Sequence, residues 1–147
     1  MKLLRTTLIA LIASAPLAGP LLAHEDATNP VVIERMETMK AIGGGMKTLA
    51  GMAKNEIPFD ADKANAALAI MAEKGVLIPA KFEANEPDPA TEALPAIWEN
   101  FDDFVKKSED MVVAAKSAPT ITDTASLGAA LGQVGGTCKA CHRDYRK

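Results

Sequence analysis

Aromatic residues are scarce in this chain: Phe59, Phe82, Trp98, Phe101, Phe104 and Tyr145 are the whole set in 147 residues. With so few flat rings, Ala, Leu, Ile, Val and Met must carry the packing, which points to closely packed helices rather than a β-sandwich. Sustained apolar–polar alternation is missing too, so no strand is expected. There is no basic excess, with 16 Lys and Arg against 19 Asp and Glu. That balance argues against nucleic acid as a partner, because phosphate binding needs a basic surface. Nor is there an apolar run fit to span a membrane. The one that begins Leu8-Ile9-Ala10-Leu11-Ile12-Ala13 is broken by Pro16 and Pro20.

That first apolar run belongs to a leader. Lys2 and Arg5 precede it, and Leu21-Leu22-Ala23 offers a small residue for cleavage before His24. Residues 1–23 therefore read as a secretory signal peptide, and 24–147 as one exported domain in the periplasm. Without Lys2 and Arg5 the balance is fourteen basic against nineteen acidic residues, a net charge of about −5. The remaining length suits a single domain with a sizeable core.

Soft ligands are as sparse as aromatics. The only two cysteines fall in Cys138-Lys139-Ala140-Cys141-His142, and His142 is one of two histidines. Two cysteines three apart with histidine next is the attachment pattern of a c-type haem. Each thiol adds to a vinyl group as a thioether, and the adjacent imidazole reaches the iron. A dithiol redox pair is the alternative, but that motif normally opens a helix after a strand. Structural zinc would need four ligands, and His24 is the sole other candidate. With both cysteines and His142 committed, no Ser-His-Asp or Cys-His constellation remains. No catalytic residue is expected, and the chain does not read as an enzyme. The acidic pairs Asp102-Asp103 and Glu109-Asp110 read as solvated helix faces.

Helical periodicity appears in four segments. The first runs from about Asn29 to Lys54, with Val32, Met36, Met39, Gly43, Met46, Ala50 and Ala53 as its seam. Gly43-Gly44-Gly45 weakens it and leaves room for close approach by a helix or a flat cofactor. Asp60 is the expected N-cap of a second helix to about Lys74, with Ala64, Leu68 and Met71 inward and Gly75 as its stop. Phe59 and Ala64 occupy the staple positions. Residues 76–95, punctuated by four prolines, read as irregular and long enough to cross the end of a bundle. A third helix, from Ala90 or Pro95 to Lys116, places Ile97, Phe101, Phe104, Ser108, Met111 and Ala115 on one seam. The fourth starts near Thr122 or Asp123 and carries Leu127, Leu131, Val134, Cys138, Cys141 and Tyr145 inward. Both cysteines thus fall on an inner seam, with Gly135-Gly136 beside them. The simplest topology is an all-α, antiparallel up-down-up-down four-helix bundle with covalently bound haem c.

The stretch Gly135-Gly136-Thr137-Cys138-Lys139-Ala140-Cys141-His142-Arg143-Asp144-Tyr145-Arg146 resembles the cytochrome c′ family, the class II c-type cytochromes. Softer matches are Arg35-x-x-x-Met39-Lys40, Pro58-Phe59-Asp60 and Ala96-Ile97-Trp98. The resemblance implies haem c held by Cys138 and Cys141, with His142 as proximal iron ligand. It places Met39 on the distal side, Arg35 and Met36 at the haem edge, and Arg146 near the proximal histidine. Many members are homodimers that pack through their first two helices, so a homodimer is among the expectations.

The resemblance also frames two functions. In low-spin relatives a methionine at the position of Met39 ligates the iron, and the protein is a one-electron carrier serving redox partner proteins. In five-coordinate members the distal side chain only blocks the iron, and nitric oxide or CO binds after it swings away. A thioether suits either role. The Met39-Lys40-x-x-Gly43 pattern favours ligation and electron transport, with gas binding as the alternative and a dithiol redox protein as a remote one. Lys106, Lys107, Arg143, Arg146 and Lys147 are candidates for steering a redox partner.

Overall fold

A computed structural model describes residues 27–147. The leader, its cleavage site and His24 lie outside the described residues. Among the described residues six helices follow in order: α1 Pro30–Ala53, α2 Ala61–Gly75, α3 Ile78–Phe82, α4 Ala96–Glu99, α5 Phe101–Ser117 and α6 Thr124–Tyr145. No strand forms among the described residues; the single β-type pairing is an isolated bridge between Ala93 and Arg146. The long helices α1, α2, α5 and α6 close a ring in which α1 packs on α2 and α6, and α5 packs on α2 and α6. This is the expected antiparallel four-helix bundle. No helix among the described residues is long and apolar enough to cross a membrane.

Local chemistry explains the helix boundaries. Asn29 caps α1, its side-chain oxygen accepting from Val31 N at 2.9 Å, with Pro30 in the first turn. At the other end Asn55 takes a left-handed backbone, φ 59°. Asn55 N donates to Met52 O and Glu56 N to Gly51 O, which satisfies two of the last carbonyls of α1. Asp60 caps α2 as expected, accepting from Lys63 N at 3.0 Å. Asp123 and Ser126 cap α6 reciprocally.

Four expectations need correction. The buried seam of α1 is Val32, Arg35, Ile42, Gly45, Leu49 and Met52, while Met36, Met39 and Met46 are half-buried and Gly43 and Ala53 exposed. After Val32 the expected stripe lies one residue, about 100°, too far round, because it follows the methionines and passes over a buried arginine. Gly75 ends α2 without a left-handed cap; a Cβ there would lie 2.6 Å from Met111 Cε and 2.7 Å from Val112 Cγ2. Its smallness serves the α2–α5 contact. The third helix is two, because Asn100 (φ −133°, ψ 48°) interrupts it between α4 and α5. Finally, residues 76–95 are not wholly irregular: Ile78 and Phe82, one turn apart and buried, fold α3 onto the bundle. Phe59 remains 39% exposed, so the staple is weak.

Candidate functional site

The last two turns of α6 carry Cys138, Cys141 and His142. Spacing of three puts both thiols on one helix face, where they are half-buried, packed against the core and not joined to each other. Burial raises the pKa of both thiols, that of Cys141 to about 11, with Cys138, Asp144 and Asp103 adding to the rise and Lys107 opposing it. Both are therefore neutral thiols at ordinary pH. A nucleophilic redox cysteine wants the reverse: a lowered pKa, commonly at a helix N-terminus. His142 is exposed, yet crowding by its neighbours and then the charge of Arg146 push its pKa down, with Glu92 opposing. A neutral imidazole with a free lone pair is the form that binds a metal.

Helix α5 holds this turn in place. Lys107 Nζ lies 3.5 Å from Asp103 Oδ2 on its own helix and 3.2 Å from Asp144 Oδ2 on α6. Tyr145 donates to Asp103 Oδ2 at 2.6 Å and meets the Phe104 ring edge-on at 5.3 Å. Hydrogen bonds from Arg143 and then Lys107 hold Asp144 down at about 2. Beyond the helix, Leu94 N donates to Tyr145 O and Lys147 N to Glu92 O, both at 3.0 Å, and Arg146 Nε reaches Glu92 Oε2 at 2.5 Å. Sequence reasoning missed Asp103, Glu92 and Asp144 as supports. Only the i,i+4 spacing of Asp103 and Lys107 signalled one of these contacts.

Helix α1 packs beside α6. A Cβ on Gly135 would lie 3.5 Å from Met46 Cε. The two helices are antiparallel, so seven residues back along α1 and seven forward along α6 bring Met39 about level with His142. A Cβ on Gly43, Gly44 or Gly136, all exposed, would meet nothing within 4 Å. Met36 is half-buried on the same side of α1. Arg35 points elsewhere. Its guanidinium is buried between the Phe82 and Trp98 rings, 5.1 and 5.4 Å from their centroids. It donates to Lys81 O at 2.8 Å, and to Ala84 O and Glu86 O. Desolvation lowers its pKa against the pull of Glu86, and its donors are occupied by the 81–86 loop.

The arrangement fits a flat, covalently held cofactor. It offers two thiols on one face, a neutral imidazole one turn from the first, and a thioether at the same level on the neighbouring helix. No group of three or more His, Cys, Asp or Glu among the described residues is placed to hold a bare metal ion. A porphyrin iron needs only axial ligands from the protein. The cations expected to steer a partner are instead engaged. Lys106 pairs with Asp110 at 2.9 Å and Arg143 with Asp144 at 2.9 Å. Arg146 pairs with Glu92, and Lys147 donates to Thr91 O.

Most of the chain is similar to known proteins. The family model described as Cytochrome C′ matches residues 30–146. Cytochrome c-556 of Agrobacterium fabrum is 36% identical over 137 residues, covering 92% of this chain and 93% of its own. The structure of cytochrome c′ from Rhodopseudomonas palustris superposes with a TM-score of 0.75 at 37% identity, covering 82% of this chain and 98% of that one. A nitric oxide complex of a mutant cytochrome c prime from Alcaligenes xylosoxidans superposes at 0.65 with 26% identity, over 80% of this chain and 94% of that one.

Proposed function

The chain belongs to the cytochrome c′ family, whose members carry covalent haem c, and from that premise we propose that it is a periplasmic one-electron carrier. Cys138 and Cys141 hold the haem as thioethers, His142 is the proximal ligand and Met39 the sixth. When bound, the haem supplies an iron that cycles between Fe(II) and Fe(III). The protein supplies burial, two axial donors and a rigid frame. Lys107, Asp103 and Tyr145 fix the α6 turn that bears His142. The 83–95 loop fixes the start of α1 against the end of α6.

The observation that carries this reading is the level of Met39 with His142, read from the Met46–Gly135 approach. It favours a methionine aimed at the sixth position. A reduced-minus-oxidised optical spectrum of the holoprotein tests it. Sharp, split low-spin α and β bands that broaden to a high-spin pattern in Met39→Ala are the expected outcome. An unchanged spectrum in that variant would remove Met39 from the iron.

The nitric oxide complex of a relative favours a second reading, gas binding at an open sixth position with Met39 as a movable block. Under that reading the wild-type spectrum is already high-spin, and nitric oxide binds without displacing a protein ligand. Absence of a Soret band after expression with haem-maturation machinery would leave the dithiol reading.

A further inference from the structure

Acidic and basic residues are segregated in this molecule in a way that the overall charge conceals. The chain has 19 carboxylate side chains, yet none falls between Glu37 and Glu56 on α1 or between Asp123 and Asp144 on α6. These two stretches pack against each other, with Met46 beside Gly135. Four lysines among the described residues make neither an ion pair nor a side-chain hydrogen bond with another described residue: Lys40, Lys47, Lys116 and Lys139. Three of the four lie on these two stretches. Lys40 and Lys47 lie three or four residues from Gly43 and Gly44, so they share that side of α1. Lys139 follows Gly136 by three on α6. All three are exposed, and Glu37 is the nearest carboxylate along α1. Elsewhere, Lys116 apart, lysines meet a carboxylate or carbonyl oxygen, as in Lys63–Asp60, Lys74–Glu73, Lys81–Glu34 and Lys147–Thr91.

From this segregation we infer that the α1–α6 face, bordered by Lys40, Lys47 and Lys139, docks an acidic patch on an electron-transfer protein. Unpaired ammonium groups on bare helix keep their full field for a partner, while paired ones do not. The small residues between them let an incoming surface approach closely, which matters because electron transfer needs short range. The inference rests on the haem reading for its purpose, though the charge pattern stands without it.

The sign of a salt effect tests the proposal. A molecule with net charge −3, or −5 without the leader, repels an anionic oxidant as a whole, so oxidation of the reduced holoprotein by ferricyanide would speed up with salt. Local docking reverses this. Oxidation by ferricyanide, and by an acidic blue-copper protein, is expected to slow about tenfold as ionic strength rises from near zero to about 0.3 M. Oxidation by tris(phenanthroline)cobalt(III) is expected to quicken. The triple variant Lys40→Glu, Lys47→Glu, Lys139→Glu should invert both trends, and Lys116→Glu should leave them. Amide shifts on titrating the labelled protein with the blue-copper protein give a readout independent of haem. They should cluster at residues 40–47 and 136–143 and vanish in the triple variant. Shifts elsewhere, or shifts that survive it, would overturn the proposal. So would lysine-dependent binding to phosphatidylglycerol vesicles with no response to the blue-copper protein. Failure of the haem reading shows separately, as a missing Soret band.

Discussion

At the scale of single residues, adjacent glycines in α1 have opposite jobs. A Cβ on Gly45 would lie 2.8 Å from Met71 Cγ and 3.1 Å from Ala67 O, and the carbonyl cannot yield. A Cβ on Gly44 would meet nothing within 4 Å. Gly45→Ala should therefore destabilise by about 1–3 kcal/mol through overpacking. Gly44→Ala should stabilise the helix by up to about 1 kcal/mol, the propensity difference between the two residues. Urea unfolding of the two variants, compared at equal slope, checks both signs. The sequence marked the triplet as a place of close approach without revealing which glycine was approached by what. That distinction depends on the side on which α2 packs, which no local spacing contains. Cys138, Cys141 and His142 were legible for the contrary reason: their chemistry is written in consecutive positions.

At the scale of elements, one carboxylate organises the end of the bundle where α1 begins. Asp88, only 8% exposed, accepts from Thr28 N and Asn29 N at 2.9 Å and from Ala90 N at 2.8 Å. Bonds from the main chain of Asn29, then Ala90 and Thr28, lower its pKa in the folded protein. Because the folded value is depressed, its stabilisation is present above the unfolded carboxylate pKa of about 3.9. It is lost as pH falls through the lower folded value. Asp88→Asn should lower the melting temperature near neutral pH and flatten the acid limb of the stability curve, measurable by thermal melts down to about pH 3. The four long helices were legible because their periodicity is local. The break at Asn100 and the folding of Ile78–Phe82 were not, since both depend on contacts across the bundle end. Trp98 Nε1 donates to Phe82 O at 2.8 Å, and that bond ties the two short helices together.

At the scale of the whole molecule, the four helix–helix seams are unequal. The α1–α6 seam is the sparsest and the α1–α2 seam the densest. Under the proposed haem site, the cofactor is expected to fill that sparse seam. Haem-free protein should accordingly exchange amide hydrogens faster at residues 36–46 and 135–145, while α2 and the α5 segment facing it stay protected. Hydrogen-exchange mass spectrometry of apo and holo forms reads this directly. Equal protection in both forms would mean that the seam closes unaided. The bundle class was legible from composition and period alone. The charge layout was not, because which lysines find partners depends on how the helices are arranged.

Asp88 and the Ala93–Arg146 bridge lie five residues apart on one loop, and each grips a different helix. A fully extended chain reaches about 3.3–3.6 Å per residue, so the leash between the grips is about 18 Å at most. The start of α1 cannot drift from the end of α6 by more than that while both grips hold. Any separation of α1 from α6 is then expected to pivot about this tethered end like the cover of a bound book.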